Sequence, residues 1–161
     1  AIICENGAVI YYPKEKKTFT TSTYHMRRAK KIVEDLGLPG TTTGKIVASV
    51  KKEHEEEVRE RLGKLADNID FVTNVDEVML VPKDVNKGLG IRQAMLFLNI
   101  ELDKTICVGD GENDIDMFLN PGFKVAVANA HPKLKELAHQ VTKKPATKGV
   151  REMLEKLSKQ Q

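Results

Sequence analysis

The chain has 161 residues, with 26 Lys and Arg against 23 Asp and Glu, a net charge of +3 and 40% hydrophobic residues. That length suits one domain or two small ones and is enough to bury a core. The interleaved charges exclude the one-sign stripe of a nucleic-acid binder, and no apolar run approaches membrane-span length.

The opening stretch, AIICENGAVIYY, runs straight into strand-like sequence, as the continuation of a folded unit would. Ile2-Ile3-Cys4 and Val9-Ile10-Tyr11-Tyr12 flank the turn dipeptide Asn6-Gly7, which predicts a hairpin. After Pro13 comes a Lys/Glu turn. Thr21 or Ser22 is placed to cap a helix running to about Leu36, with Met26, Ala29, Ile32, Val33 and Leu36 on one face. Gly37 and Pro39 end it. Thr41 to Gly44 reads as a loop, and Lys45 to Val50 as an alternating strand. A second helix is expected over 53–66, with Val58, Leu62 and Leu65 on its apolar stripe and Glu57 spaced to pair with Arg61. The run Glu55-Glu56-Glu57 reads as a solvated helix face. Ile69 to Thr73 and Val78 to Val81 form a second hairpin, joined through Asn74 to Glu77.

From Pro82 the rhythm changes. A helix is expected from Asn86 to Leu98, a strand over 105–108, and a short helix to Leu119. A strand over Lys124 to Ala128, a helix over 132–138, a strand over Gln140 to Thr142 and a helix over Lys148 to Leu157 follow. Alternating helices and strands are the pattern of parallel α/β units. Cys4 and Cys107 each sit in an apolar run and are expected to be reduced core thiols of a cytoplasmic protein.

The stretch CVGDGENDIDMF places Asp110, Glu112, Asn113 and Asp114 just past a buried strand. Open parallel sheets take ligands at the carboxyl ends of their strands. Clustered carboxylates repel one another and persist most easily around a hard cation, for which Mg²⁺ is the first candidate. The competing reading is that Asp110 and Asp114 simply cap the helix that starts near Asn113. Glu112 and Asp116 are assigned to solvent. Lys87, in PKDVNKGLGIRQAM, opens a helix where the dipole disfavours a cation, a conflict that a bound phosphate would resolve; alone it reads as surface decoration, and with Gly88 and the acidic loop after it as a candidate phosphoryl clamp.

These residues carry a resemblance. The run from Lys87-Gly88 through GDGENDIDMF, followed by VAVANAHPKLKELAHQVT, resembles the haloacid dehalogenase-like phosphatases with an α/β (C2-type) cap domain. That subgroup includes sugar-phosphate and archaeal phosphoglycolate phosphatases. The opening ENGAVI is similar to the subgroup's hairpin before the cap domain. The resemblance implies an α/β fold: a partial Rossmann-like parallel sheet core with a small α/β cap domain. It divides the chain into a core hairpin remnant (1–12), the cap domain (13–82) and the C-terminal part of the core (83–161). It implies that Asp110 and Asp114 hold Mg²⁺, that Lys87 neutralises the transferring phosphoryl group, and that Asn113 hydrogen-bonds near the phosphate. Asn129, in an Asn-Ala turn, is expected beside the metal site, and Asn6 in the tight turn.

The chain departs from the family in one respect. The family's nucleophile is an aspartate in a D-x-D-G-T motif, followed by a Ser or Thr motif that holds phosphate. Neither occurs in these 161 residues. The missing piece amounts to two strands and their crossovers, about fifty residues. Three explanations are open: part of a longer phosphatase, a sheet completed by a second polypeptide or a copy of itself in a homodimer, or a reduced, non-catalytic relative. The expected function is a Mg²⁺-dependent phosphomonoester phosphatase acting on a small phosphorylated metabolite, with no nucleic-acid or membrane partner. The alternative is a non-catalytic phosphate- or metal-binding module. A receiver domain is disfavoured, because its acid pair sits at the first strand. Arg27, Arg28, Lys45 and Lys51 are candidates to meet an anionic substrate, with surface solvation the preferred reading for each.

Overall fold

A computed structural model describes residues 1–159, and the chain divides into two units, Ala1–Gly90 and the remainder from Ile91. In the first unit β1 (Ile2–Cys4), β2 (Val9–Tyr12) and β3 (Lys17–Thr20) form an antiparallel sheet in that order. The expected hairpin is present, with Cys4 opposite Val9. Its turn is longer than a two-residue loop, because residues 5–7 form a short 3-10 helix with Glu5 at φ 51° and Asn6 at φ 55°. β3 replaces the expected Lys/Glu turn. All its residues are exposed, so no apolar pattern announces it, and Phe19 packs edge-on against Tyr12 at 5.5 Å.

α1 (Tyr24–Leu36) starts later than Thr21 or Ser22 would place it. Pairing continues past β3, where the Thr21 N–H donates to Ala8 O at 2.8 Å. Thr23 therefore becomes the cap, its Oγ1 accepting the Met26 N–H at 3.0 Å. Met26, Ala29 and Val33 are fully buried, and Gly37 closes the helix at φ 60°. β4 (Thr42–Thr43) and β5 (Ala48–Lys51) follow, then α2 (Glu55–Leu62), β6 (Ile69–Asn74) and β7 (Glu77–Pro82). These strands form an antiparallel sheet in the order β4-β5-β7-β6. Alternation along 45–50 does not survive, since Ile46 to Val50 are all buried. A strand covered on both faces shows no alternating pattern.

α2 is shorter than expected. Gly63, at φ 53°, ends it, and residues 63–68 tighten into a 3-10 turn. Arg59, rather than Arg61, makes the helical ion pair, to Glu55 at 2.8 Å. Its guanidinium also lies 3.6 Å from the centroid of the Phe71 ring, a cation–π contact that Arg61 lacks among the described contacts. The apolar faces of α1, α2, β5, β6 and β7 meet in one core.

α3 (Lys87–Leu98) contains the division between the units. Asn86 is its cap rather than its first residue, with Oδ1 accepting the Leu89 N–H at 2.8 Å. Beyond it come β8 (Ile106–Gly109), α4 (Ile115–Phe118), β9 (Phe123–Ala126), α5 (Pro132–Leu137), β10 (Gln140–Val141) and α6 (Ala146–Ser158). β8, β9 and β10 form a parallel sheet in the order β10-β9-β8, the expected α/β arrangement. Cys107, Phe118, Ala126, Val127 and Leu134 form its core.

One thiol departs from expectation. Cys107 is buried, but Cys4 is exposed, because it shares the outward face of β1 with Ile2 while Ile3 between them turns to the half-buried face. Burial pushes the Cys107 thiol above its ordinary pKa. Brief alkylation with iodoacetamide near neutral pH is expected to label Cys4 well before Cys107, read by peptide mass spectrometry. Gly7, at φ 100°, touches the start of α3 so closely that a Cβ would lie 2.2 Å from Asn86 O. Gly7→Ala is expected to cost about 3 kcal/mol or more in urea unfolding. Gly37→Ala, at φ 60° with nothing within 4 Å, is expected to cost about 1 kcal/mol.

Candidate active site

The loops that follow β8, β9 and β10 lie at the carboxyl edge of the parallel sheet, and hydrogen bonds stitch them together. His131 N donates to Asp110 O at 2.8 Å, joining the first loop to the second. Ala128 N donates to Thr142 Oγ1 at 3.2 Å, and Asn129 Oδ1 accepts the Ala146 N–H at 2.7 Å, joining the second to the third. A cleft of about 230 Å³ opens here, lined by Val108, Gly109, Asp110, Val127, Thr147 and Val150 among others.

Within the first loop the two acids play different parts. Asp114 is buried, and its Oδ2 turns back to accept the N–H groups of Asp110 and Gly111 at 2.9 and 3.2 Å. This needs glycine at 109, where a Cβ would lie 2.8 Å from that oxygen. Asp110 is exposed and lines the cleft. Asn113 is half-buried, with Oδ1 close over Gly111, where a Cβ would be 2.6 Å away. The spacing of Asp110, Asn113 and Asp114 thus brings them into one loop. The Asp114 carboxylate orders the turn before α4, while Asp110 faces the cleft.

Glu112 points to solvent, as expected, and pairs with Lys133 at 2.9 Å. The Lys133 hydrogen bond and charge, with a smaller share from His131, hold its carboxyl below the usual range. Asn129 stands beside the cleft but acts on the backbone, satisfying the first N–H of α6. Lys87 is half-buried at the first position of α3, in the first unit. Asn6 takes the left-handed turn expected of it.

Sequence reasoning missed Thr142, Thr147 and His131. Thr142 is buried and bridges two loops, accepting from Ala128 N and donating to Lys144 O at 2.7 Å. A threonine just past a two-residue strand carries no local signal of that role. The donor set fits a magnesium ion. It offers hard oxygen ligands, one of them an exposed carboxylate on an open cleft, and magnesium uses one or two carboxylates while retaining water. Among the described residues no group of three or more His, Cys, Asp or Glu forms an all-protein cage.

A family model described as haloacid dehalogenase-like hydrolase matches residues 1–154. Phosphoglycolate phosphatase 2 of Saccharolobus solfataricus is 33% identical over 164 residues, covering 98% of this chain and 67% of that protein. The phosphoglycolate phosphatase of Sulfurisphaera tokodaii is 32% identical over 157 residues, covering 96% of this chain and 67% of its own length. The chain therefore spans about two thirds of these relatives. Among solved structures, Thermoplasma acidophilum 0175 superposes with a TM-score of 0.74 at 16% identity, over 96% of this chain and 70% of that one. A haloacid dehalogenase-like hydrolase from Bacteroides thetaiotaomicron gives 0.74 at 17% identity, over 94% and 74%. At such identities the structures speak for the fold alone. The sequence match along nearly the whole chain carries the further conclusion that it belongs to the haloacid dehalogenase-like hydrolase family.

Proposed function

We propose that the chain is the metal- and phosphoryl-binding part of a Mg²⁺-dependent phosphomonoester phosphatase, with phosphoglycolate as the first substrate to test. The observation that carries this reading is the exposed Asp110 on a cleft at the carboxyl edge of a parallel sheet, in a loop held by Asp114. The substrate class follows the phosphoglycolate phosphatases the chain is similar to.

In this reading Asp110 ligates the metal directly, and Asp114 keeps the Asp110 backbone in place while contributing negative charge behind it. Bound Mg²⁺ supplies charge stabilisation to the phosphoryl oxygens. Asn113 donates a hydrogen bond near the phosphate. Lys87, at the start of α3, meets the negative charge of the transferring group, which also relieves its conflict with the helix dipole. Asn129 is a positioning residue that holds α6 against the loop. Attack on phosphorus falls to an aspartate, and no D-x-D-G-T stretch occurs in the 161 residues. A strand laid beside β8, the edge of its three-stranded sheet, is the route by which another segment or chain brings it. The exposed Ile106 on that strand suits such pairing. A cytoplasmic setting belongs to the same reading.

The 161-residue chain alone is expected to hydrolyse no phosphoglycolate above background. Addition of a segment that carries the family's D-x-D-G-T motif is expected to restore Mg²⁺-dependent turnover in a phosphate-release assay. Turnover by the chain alone that is lost in Asp110→Ala would refute this division and point to a substitute nucleophile. The two acids should also separate by stability. Asp110→Asn is expected to leave urea unfolding unchanged and to abolish the rise in Tm given by Mg²⁺ with phosphate. Asp114→Asn, which weakens a buried, doubly hydrogen-bonded carboxylate, is expected to cost about 1–3 kcal/mol even without metal.

A further inference from the structure

The first unit carries a cleft of about 470 Å³ between α1 and the stretch that leaves α2. Arg28, Arg61 and Lys64 line it, and among the described residues no Asp or Glu does. Its apolar part is Ile32, Leu62 and Leu65. The charge pattern differs from the rest of the same two helices. Lys30, Lys31 and Arg59 each have a carboxylate partner, at 4.0, 2.7 and 2.8 Å. Among the described ion pairs none involves Arg28, Arg61 or Lys64, a state shared on these helices by Arg27 outside the cleft.

Arg28 is also held in place. Its NH1 donates to Tyr24 Oη at 3.2 Å, and its guanidinium carbon lies 5.8 Å from the centroid of the Tyr24 ring. Tyr24 itself lines the cleft at the first turn of α1, a turn that contains no acid. The positive end of the helix therefore adds to the three cations rather than being neutralised. Like charges gathered on one cleft repel, and an anion that touches all three relieves the cost. An exposed cation holds a monovalent ion weakly, so the arrangement favours a ligand with several charges along its length. The volume is that of a small-molecule site.

We propose that this cleft binds an oligophosphate anion, a chain of two or three phosphates either free or carried by a nucleotide. The charge covers one bounded cleft between two helices rather than a stripe, which favours a small ligand over a nucleic acid. The site does not depend on the phosphatase reading, and it is tested by binding rather than by turnover.

Isothermal titration of the 161-residue chain with tripolyphosphate, without divalent metal and at 50 mM NaCl, is the first measurement. Saturable binding is expected. It should weaken about tenfold or more in Arg61→Glu/Lys64→Glu and fall steeply by 500 mM NaCl. Arg27→Gln, which removes a cation of the same helix outside the cleft, should bind as the parent does. ATP should compete with tripolyphosphate. Equal affinities point to the phosphates alone, and tighter ATP binding points to a nucleotide whose base reaches Ile32 and Leu65. Circular dichroism melts check that the double variant folds; if it does not, Arg28→Gln, which removes a charge rather than reversing one, takes its place and should weaken binding. No saturable binding, binding unchanged by the cleft substitutions, or a short DNA duplex binding more tightly than either phosphate ligand would each overturn the proposal.

Discussion

The carboxylate of Asp114 holds the candidate site together. By turning back under the end of β8 it takes two backbone N–H groups that would otherwise face the loop without partners. Hydrogen bonds to a buried charge are each stronger than neutral ones, and losing the acceptor strands two donors. The conformation they enforce is what presents Asp110 to the cleft. Glycine at 109 is part of the same constraint, because any side chain there would occupy the space of the carboxylate. A loop that carries several acids is thus held by one of them and opens onto the cleft through another.

The first unit uses the same device. Glu5 follows β1 in a left-handed conformation, and its carboxylate accepts the N–H groups of Lys45, Ile46 and Val47 at 2.7, 2.8 and 3.0 Å. Gly44 must be small, since a Cβ there would lie 2.6 Å from that carboxylate. Contacts 40 residues and more apart in sequence are fixed by one side chain. Next to it Gly7 presses against the Asn86 carbonyl at the head of α3. The turn Glu5-Asn6-Gly7 is therefore a junction, which accounts for positive φ at three successive residues. Strain of that kind persists only where the surroundings over-determine it.

Family membership and fold rest on different observations. Identity of 33% along almost the whole chain supports membership, whereas superposition at 16–17% identity supports the architecture. The acidic loop is where the two meet, because it lies within the matched sequence and at the carboxyl edge of the parallel sheet. The basic cleft of the first unit is a separate matter, arising from cations without a described ion pair beside helices where Lys30, Lys31 and Arg59 are neutralised in place.

Local rules in the sequence determined a good deal. The alternation of helices and strands after Pro82 gave the parallel sheet, and the Asp110-Asn113-Asp114 spacing gave the loop at its edge, because both depend on residues close together in the chain. The apolar stripe of α1 was legible for the same reason. Tertiary structure decided what depends on distant partners. β3 exists because β2 offers it an edge, although its own residues are exposed. The cap of α1 moved to Thr23 because Ala8 had taken the Thr21 N–H. Cys4 faces outward because it alternates with Ile3 along β1, and the sequence, which shows only the apolar run around it, cannot say which of two faces a short strand will bury.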